Sequence, residues 1–156
     1  MKRVAITYRR VSTDRQAARG ESLAAQREAV SNYCELRGFG VIKHCEDRGK
    51  CGVSRQGRPG LKEAVGLACE RKGVLVAYSL SRLSRSVVDA ANILAELRAA
   101  GADLAIVDSS IDTTTAAGQL IFNLMTSFAQ FESQLIGERI RMANARTVAL
   151  KGHRTQ

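Results

Sequence analysis

Three side chains that could do chemistry occupy alternate positions near the amino terminus, namely Tyr8, Arg10 and Ser12. They follow an apolar, β-branched run that begins at Val4 and predicts a buried strand. Because side chains alternate between faces along an extended chain, a phenol, a guanidinium and a hydroxyl nucleophile would share one face at the end of that strand. Ligands usually bind at the carboxyl ends of strands in an α/β sheet. The pattern favours chemistry on an anion, and the alternative is a strand that leads into a solvated polar loop.

Two arginines, Arg82 and Arg85, lie three residues apart just beyond another predicted strand. They would share a face if the next helix began there. Phosphoryl transfer needs a positioned nucleophile and positive charge beside the non-bridging oxygens, and arginines supply that charge where no metal is available. The spacing is consistent with a phosphate site, although solvation at the surface would explain the pair as well.

Several other chemistries lack the residues that they need. Ser12 has no suitable histidine base, because His44 falls on a predicted strand and His153 in the tail, and no Gly-x-Ser-x-Gly elbow occurs. A Walker phosphate-binding loop is absent from the sequence, which disfavours NTP hydrolysis. The cysteines form no Cys-x-x-Cys pair, which disfavours a zinc site. We therefore expect neither a metal nor another cofactor.

The composition indicates a single domain that binds an anionic polymer. The chain has 156 residues, of which 45% are hydrophobic, and a formal net charge of +9, which points to nucleic acid. Arginine, which suits phosphate, supplies 18 of the 24 basic residues, but a genome that prefers arginine codons would explain that ratio equally well. With no signal peptide and no apolar run long enough for a membrane, we expect a cytoplasmic protein that does not contact membranes.

Strand and helix signals alternate through most of the chain and predict an α/β fold. After the first strand, helix periodicity runs from an N-cap at Ser22 to Gly38. The further signals are strands at residues 41–45, 74–78 and 102–107, helices at residues 61–72 and 87–100, and a glycine-rich loop at residues 47–60. This order implies a mostly parallel sheet of four to five strands flanked by helices.

The spacing of apolar residues in the last third of the chain predicts one long helix over residues 115–150. Its apolar side chains recur in alternating steps of three and four residues, as in the seam of a coiled coil. The seam consists of Ile121, Leu124, Phe128, Phe131 and Leu135. A helix of that length would extend for roughly 54 Å, which is more than so small a core can cover. Part of it should pack on another chain or on nucleic acid, and the alternative is a bent helix that folds back on its own sheet.

Five segments together resemble the catalytic domain of the serine recombinases, the resolvase/invertase family. In order they are Tyr8-Arg-Arg-Val-Ser-Thr-Asp-Arg-Gln16, Ser22-Leu-Ala-Ala-Gln26, Arg58-Pro-Gly-Leu61, Ser81-Arg-Leu-Ser-Arg85 and Phe131-Glu-Ser-Gln-Leu-Ile-Gly-Glu-Arg139. They look more like large serine integrases and transposon recombinases than small resolvases. The resemblance implies a resolvase-like fold and site-specific DNA recombination, in which a serine cleaves and rejoins DNA strands through a 5′-phosphoserine intermediate without metal or ATP.

The same resemblance implies roles for individual residues, beginning with Ser12 as the nucleophile. The arginines that would grip the scissile phosphate are Arg10, Arg58, Arg82 and Arg85. Supporting active-site positions are Tyr8, Gln26 and Asp47. Residues of the long helix that would serve subunit contacts or support the active site are Glu138, Arg139, Phe128, Phe131 and Leu135. Side chains expected to contact DNA are Arg141, Arg146 and Lys151.

The resemblance also implies partners and a division of the chain. We expect double-stranded DNA as the substrate and a homodimer that assembles into a tetramer. Residues 1–112 would form the catalytic α/β core, residues 113–152 the long interface helix of the same domain, and residues 153–156 a tail. No helix-turn-helix or zinc ribbon follows the helix, so we expect the DNA-reading C-terminal domain to be absent from this chain.

One position departs from the family pattern. Ser81 stands where the family often has an aspartate, immediately before the first arginine of its Asp-Arg-Leu-x-Arg motif. An acid–base role of that aspartate does not transfer to this chain, and Asp47 is the first candidate if the reaction needs a carboxylic acid. Two alternatives to a recombinase stay open: a catalytically inactive DNA-binding or oligomerisation module of the same fold, and a serine-dependent nuclease or phosphatase that releases free ends.

Overall fold

The protein is described here by a computed structural model that covers residues 2–11, 23–48, 57–84 and 86–152. In chain order, its helices and strands are β1 (Val4–Val11), α1 (Leu23–Leu36), β2 (Gly40–Arg48), α2 (Pro59–Arg71), β3 (Val74–Ala77), α3 (Leu80–Leu83), α4 (Val87–Ala99), β4 (Asp103–Ile106), β5 (Ile111–Asp112) and α5 (Ala116–Gly152). The longer helices and strands follow one another in the order expected from the sequence, and two short elements, α3 and β5, occur in addition. The predicted α/β class with a long C-terminal helix is confirmed.

Within the described residues, the sheet has five strands in the spatial order β2-β1-β3-β4-β5. Its first four strands run parallel to their neighbours, and only β5 pairs antiparallel with β4. The predicted mostly parallel sheet is therefore confirmed. Because β1 lies between β2 and β3, the carboxyl ends of these three strands are neighbours at one edge of the sheet.

The bounds of β2 differ from the sequence prediction in a way that matters for the site. The strand was expected over residues 41–45 and a loop from residue 47, but β2 continues to Arg48. The prediction was wrong because β1 supplies a backbone partner for each of these residues, with Arg10 opposite Asp47 and Val11 opposite Arg48. Pairing with a neighbouring strand outweighs the low intrinsic preference of aspartate for strands. Asp47 is thereby held on a strand and not in a loop.

Two short elements have no clear signal in the sequence. The helix α3 is a single turn, and β5 has only two residues. Neither is long enough to show a helical or alternating hydrophobic period. The single turn of α3 nevertheless carries Arg82 of the predicted site, together with Ser81, the position that departs from the family pattern.

The strands feed a hydrophobic core on both faces of the sheet. On one face Ile6 and Tyr8 pack with side chains of α2 and α4. On the other face Ala5 packs with Val30 and Cys34 of α1. The side chains of β3 are fully buried throughout, as expected of a near-continuous apolar run in a covered parallel strand.

Over the residues whose side chains are described, the long helix α5 contacts its own chain with one side of its surface. Phe122 and Ala129 are buried, and the helix packs on α4 and β5. The predicted seam lies elsewhere, since Phe128 is 67% and Phe131 is 57% exposed. The alternative of a helix folded back to cover its seam with its own sheet is therefore wrong. Among the described helices, none is both long and apolar enough to span a bilayer.

A polar network fixes the point where α5 leaves the sheet. The carboxylate of Asp112 accepts a hydrogen bond from Tyr33 at 2.7 Å and pairs with Arg37 at 2.6 Å, both on or next to α1. Burial raises the pKa of this carboxyl, but hydrogen bonds from Thr114 and Tyr33 outweigh burial, and the net shift is downward. Gly118 approaches so closely that a Cβ would lie 1.9 Å from the carbonyl oxygen of Asp112. Only glycine fits this contact.

Candidate active site

The edge formed by the carboxyl ends of β1, β2 and β3 collects residues from four distant segments. Arg10 lies near the end of β1, opposite Asp47 on β2. Arg82 lies on α3, directly after β3. Arg58 precedes α2, and its guanidinium donates a hydrogen bond to the carbonyl oxygen of Arg82 at 2.9 Å. Together with Tyr8, the structure thus brings five of the predicted site residues to one place.

Asp47 joins β1 to the start of α2. Its carboxylate accepts a hydrogen bond from the hydroxyl of Tyr8 at 2.9 Å. It also accepts from the backbone N–H groups of Gly60 at 2.8 Å and Leu61 at 3.0 Å. These N–H groups belong to the first turn of α2, where a helix favours a negative charge. With three donors on a buried carboxylate, Asp47 acts as an anchor for the helix.

Gly60 allows α2 to approach this anchor. A Cβ at position 60 would lie 2.5 Å from the carbonyl oxygen of Glu46 and 3.0 Å from the carboxylate of Asp47. A residue with a Cβ would clash here, because a contact of 2.5 Å between heavy atoms is strongly repulsive. The Arg-Pro-Gly-Leu segment therefore has a structural explanation: its glycine brings the helix onto β2, and Pro59 suits the first turn.

Arg58 is buried and directs its guanidinium toward protein oxygens. Its Nη2 atom lies 2.9 Å from the hydroxyl oxygen of Tyr8 and 2.6 Å from the carbonyl oxygen of Leu83. The guanidinium also stands over the Tyr8 ring, 5.4 Å from its centroid. A buried cation needs such partners, since an unpaired charge is costly to desolvate. Arg58, Tyr8 and Asp47 form a closed network that ties α2 and α3 to the sheet.

The phenol of Tyr8 stays protonated within this network. Burial is the largest effect and raises the pKa of Tyr8 from 10.0 to about 12, although the neighbouring Arg58 lowers it in part. At neutral pH the hydroxyl is therefore a hydrogen-bond donor to Asp47 and not a base or a nucleophile. Its role in the site is to hold its neighbours in place.

Next to the Arg58–Tyr8–Asp47 network, Arg10 and Arg82 are two described arginines that are partly exposed to solvent. Both are half-buried. Arg10 donates a hydrogen bond to the carbonyl oxygen of Ser81 at 3.3 Å, which connects the end of β1 to α3. The Arg82 guanidinium has no hydrogen-bond or ion-pair partner among the described residues. These two side chains are placed to receive an anion at the edge of the sheet.

A pair of hydroxyl groups beside these arginines was not foreseen from the sequence. Ser79 is buried, Ser81 is exposed, and their Oγ atoms lie 2.9 Å apart. The only signal in the sequence is that two serines flank Leu80 at the end of an apolar run. That signal is too weak to separate a functional pair from ordinary turn residues.

The remaining predicted site residues fall into three groups. Gln26 is buried on α1 and borders a cavity of about 410 Å³ that Tyr8 also lines. Glu138, Arg139 and Arg141 are exposed on α5, and no described contact joins them to the network around Tyr8. Leu135 of the predicted seam is half-buried. Outside the described residues lie Ser12 and Arg85, together with the side chains of Arg146 and Lys151.

A known protein family matches nearly the whole chain. The family described as "Resolvase, N terminal domain" matches residues 5–152. A DNA-invertase of Escherichia phage P1 is 36% identical over 137 residues, which are 87% of this chain. The transposon Tn917 resolvase of Enterococcus faecalis is 30% identical over 152 residues, 94% of this chain and 73% of that resolvase. The chain spans 66% of the length of the phage P1 invertase.

Solved structures give the same result for the fold. The N-terminal catalytic domain of TP901-1 integrase superposes with a TM-score of 0.72 and is 29% identical. The match covers 85% of this chain and 98% of that domain. A resolvase-family site-specific recombinase from Streptococcus pneumoniae superposes with a TM-score of 0.71 over 97% of this chain, at 24% identity.

Proposed function

Since the chain belongs to the resolvase N-terminal domain family, we propose that it cleaves and rejoins DNA strands at specific sites, with Ser12 as the nucleophile. The observation that carries this proposal is the sheet edge at which Arg10 contacts the turn that carries Arg82, a turn held by the buried Arg58–Tyr8–Asp47 network. The phage and transposon relatives are invertases and a resolvase. Their names indicate recombination and not simple hydrolysis.

The reaction would be a transesterification. The Oγ atom of Ser12 attacks the phosphorus of a DNA phosphodiester, the bond to the 3′ oxygen breaks, and the serine proton is passed on so that a free 3′-hydroxyl results. The phosphate stays attached to the 5′ side as a phosphoserine. Attack of a 3′-hydroxyl on that phosphoserine rejoins the strands and restores the serine. One phosphate ester replaces another at each step, so the proposal needs neither ATP nor a metal ion.

Arg10 and Arg82 would stabilise the charge on the phosphate during this attack. Guanidinium groups suit the non-bridging oxygens because they donate two parallel hydrogen bonds. We assign Arg85 to the same task from the family motif. Preorganised donors of this kind contribute most where they are already fixed before the charge develops. The hydrogen bond from Arg10 to the Ser81 carbonyl at 3.3 Å supports such a fixed arrangement.

Arg58 and Asp47 would act on the phosphate through α3 and α2. Among the described residues, the hydrogen bonds of the Arg58 guanidinium go to protein oxygens, including the carbonyls of Arg82 and Leu83. Direct contact with phosphate would require the side chain to leave these partners. The Asp47 carboxylate already accepts hydrogen bonds from three donors, so we do not assign it as the proton donor to the 3′ oxygen. Gln26 is assigned as a support of the Tyr8 side of the site.

The helix α5 would carry the subunit and DNA contacts. Its exposed phenylalanines, Phe128 and Phe131, have the apolar character that protein interfaces bury. We propose that they pair with a second copy of the chain, with Leu135, and that two such dimers form a tetramer during strand exchange. Glu138 and Arg139 follow on the same helix and would reach the partner's side of the assembly. Contacts with DNA are assigned to Arg141, Arg146 and Lys151.

A covalent adduct tests the proposal without knowledge of the recombination site. The protein is incubated with sheared genomic DNA of its source, the DNA is digested, and the Ser12 peptide is sought by mass spectrometry with a nucleotide attached. We expect the adduct in the natural protein and not in Ser12→Ala. An inactive DNA-binding module would give no adduct in either protein. A serine-dependent nuclease would form the adduct and then hydrolyse it, so that free 5′-phosphate ends replace rejoined strands, and a serine-dependent phosphatase would remove terminal phosphates without cleaving strands.

A further inference from the structure

The hydroxyl of Ser79 stands at the start of a helix but does not cap it. Ser79 is the N-cap residue of α3, and its side chain accepts no hydrogen bond from the backbone of that helix. Ser86 is the N-cap of α4, and its Oγ accepts from the N–H of Asp89 at 3.0 Å. Capping is the usual task of a serine at this position. The buried hydroxyl of Ser79 is instead 2.9 Å from the hydroxyl of Ser81.

Ser81 is hydrogen-bonded to Arg10 through its carbonyl oxygen and immediately precedes Arg82 in the chain. Its side chain is exposed, and its neighbour Arg82 has a guanidinium that no described residue pairs with. An anion that binds both arginines would lie near the exposed Ser81 side chain, because Ser81 contacts Arg10 and adjoins Arg82 in the chain. A serine hydroxyl has one proton to donate and can accept two hydrogen bonds.

The direction of the hydrogen bond in the hydroxyl pair would depend on the anion. If Ser79 donates to Ser81, the Ser81 proton is left to donate outward. A phosphate oxygen beside Ser81 favours that direction, because the outward proton then meets a negative charge. A hydroxyl that already accepts a hydrogen bond is also a better donor, since neighbouring hydrogen bonds polarise each other.

Resting on the proposed function, we propose that Ser81 donates a hydrogen bond to a non-bridging oxygen of the scissile phosphate and that Ser79 is the positioning residue that orients it. The pair would serve where the family motif often has an aspartate, but as a neutral donor to the phosphate and not as an acid. No proton is transferred in this role. Ser79 acts only through Ser81, so its substitution should have no effect on the cleavage rate once Ser81 is replaced.

A double-mutant cycle measures this coupling between Ser79 and Ser81. Single-turnover cleavage is followed on a nicked duplex that carries a site mapped from the Ser12 adducts, for Ser79→Ala, Ser81→Ala and the double variant. We expect about a fivefold loss for Ser81→Ala, as for one hydrogen bond of about 1 kcal/mol, and a smaller loss for Ser79→Ala. The double variant should be no slower than Ser81→Ala alone, and Ser81→Thr, which keeps the hydroxyl, should cleave like the natural protein.

Ser86→Ala is the matched control. It removes a capping hydroxyl, so it should lower the melting temperature and leave the cleavage rate unchanged, whereas Ser79→Ala should lower the rate with little effect on melting. If the losses in cleavage rate multiplied in the double variant, or if the single variants cleaved as fast as the natural protein, the roles proposed for Ser79 and Ser81 would be wrong. The recombinase proposal would remain intact. A natural protein without any Ser12 adduct would overturn both.

Discussion

The sheet edge and the helix α5 differ in how many of their side chains find partners within the same chain. At the sheet edge the buried Arg58, Tyr8 and Asp47 find all their partners within the chain. In the described part of the molecule, every buried side-chain nitrogen or oxygen has a hydrogen-bond partner. Along α5, by contrast, Phe128 and Phe131 remain mostly exposed. The described frame of the site is thus satisfied within one chain, whereas the apolar seam of α5 is left mostly exposed.

This difference separates two kinds of residue that belong to one proposed reaction. Residues of the sheet edge should act on chemistry and stability even in an isolated chain. Residues of the α5 seam should act on assembly and leave the fold of the core unchanged. Four variants test this separation, and they are described from the largest expected effect to the smallest.

Arg82→Ala should give the largest effect at the sheet edge. The Arg82 guanidinium has no partner among the described residues, so its loss should leave folding intact. It should lower the single-turnover cleavage rate by about a hundredfold or more, as for other groups that stabilise a transition-state charge. Arg71→Ala, which removes an exposed arginine at the end of α2, is the control and should cleave normally. Equal rates for both variants would exclude Arg82 from the phosphate site.

Arg58→Met should affect stability as well as activity. The change removes hydrogen bonds to Tyr8, Arg82 and Leu83 and leaves buried oxygens without a donor. We expect a loss of about 3 kcal/mol in the free energy of unfolding. Urea denaturation followed by circular dichroism measures it, with Arg71→Met as the exposed control. A loss no greater than that of the control would mean that the network does not hold α3 in place.

Phe128→Glu should affect assembly alone. A phenylalanine that is 67% exposed in the monomer would be buried in a dimer, and its loss should weaken dimerisation by about tenfold or more. Sedimentation velocity at several concentrations gives the dissociation constant. Gln130→Glu adds the same charge on another face of α5 and should leave it unchanged. A protein that stays monomeric at every concentration, with either sequence, would contradict the role assigned to the seam.

The smallest effect concerns pH and Tyr8. Its pKa in the folded chain is about 12, against an ordinary value of 10.0, because it is buried. The unfolded chain therefore loses the phenol proton first, and the contribution of Tyr8 is fully present below pH 10 and is lost as the pH rises to about 12. The free energy of unfolding should fall more steeply over that range in the natural protein than in Tyr8→Phe. Identical slopes would show that the phenol is not buried in the folded chain.

The fold could be predicted from the sequence further than the site could. Apolar runs and glycine stops identify the parallel strands and the long helix, because these elements are long enough to show a period. The exact end of β2 depends on its pairing with β1, and the single turn of α3 has no period at all. Both features decide where Asp47 and Ser81 lie. Local sequence does not contain that information, since it comes from neighbouring strands.

The motif residues could be named from the sequence, but the partners of their side chains could not. The resemblance assigns Arg10, Arg58 and Arg82 to one task. The structure separates them, since Arg58 is buried against carbonyl oxygens while the other two reach toward solvent. Burial of a charged side chain depends on the elements that pack over it, here α2 and α3. For the same reason the Ser79–Ser81 pair is visible only once α3 is in place.

The central claim is that Ser12, the residue that follows β1 in the sequence, attacks DNA within a site whose described frame comes from one chain. The most direct test is the fate of the Ser12 peptide after incubation with DNA, for the natural protein and for Ser12→Ala. We predict a nucleotide joined through its 5′-phosphate to Ser12 in the first and no modified peptide in the second. An adduct on another residue, or strand cleavage that persists in Ser12→Ala, would contradict the account.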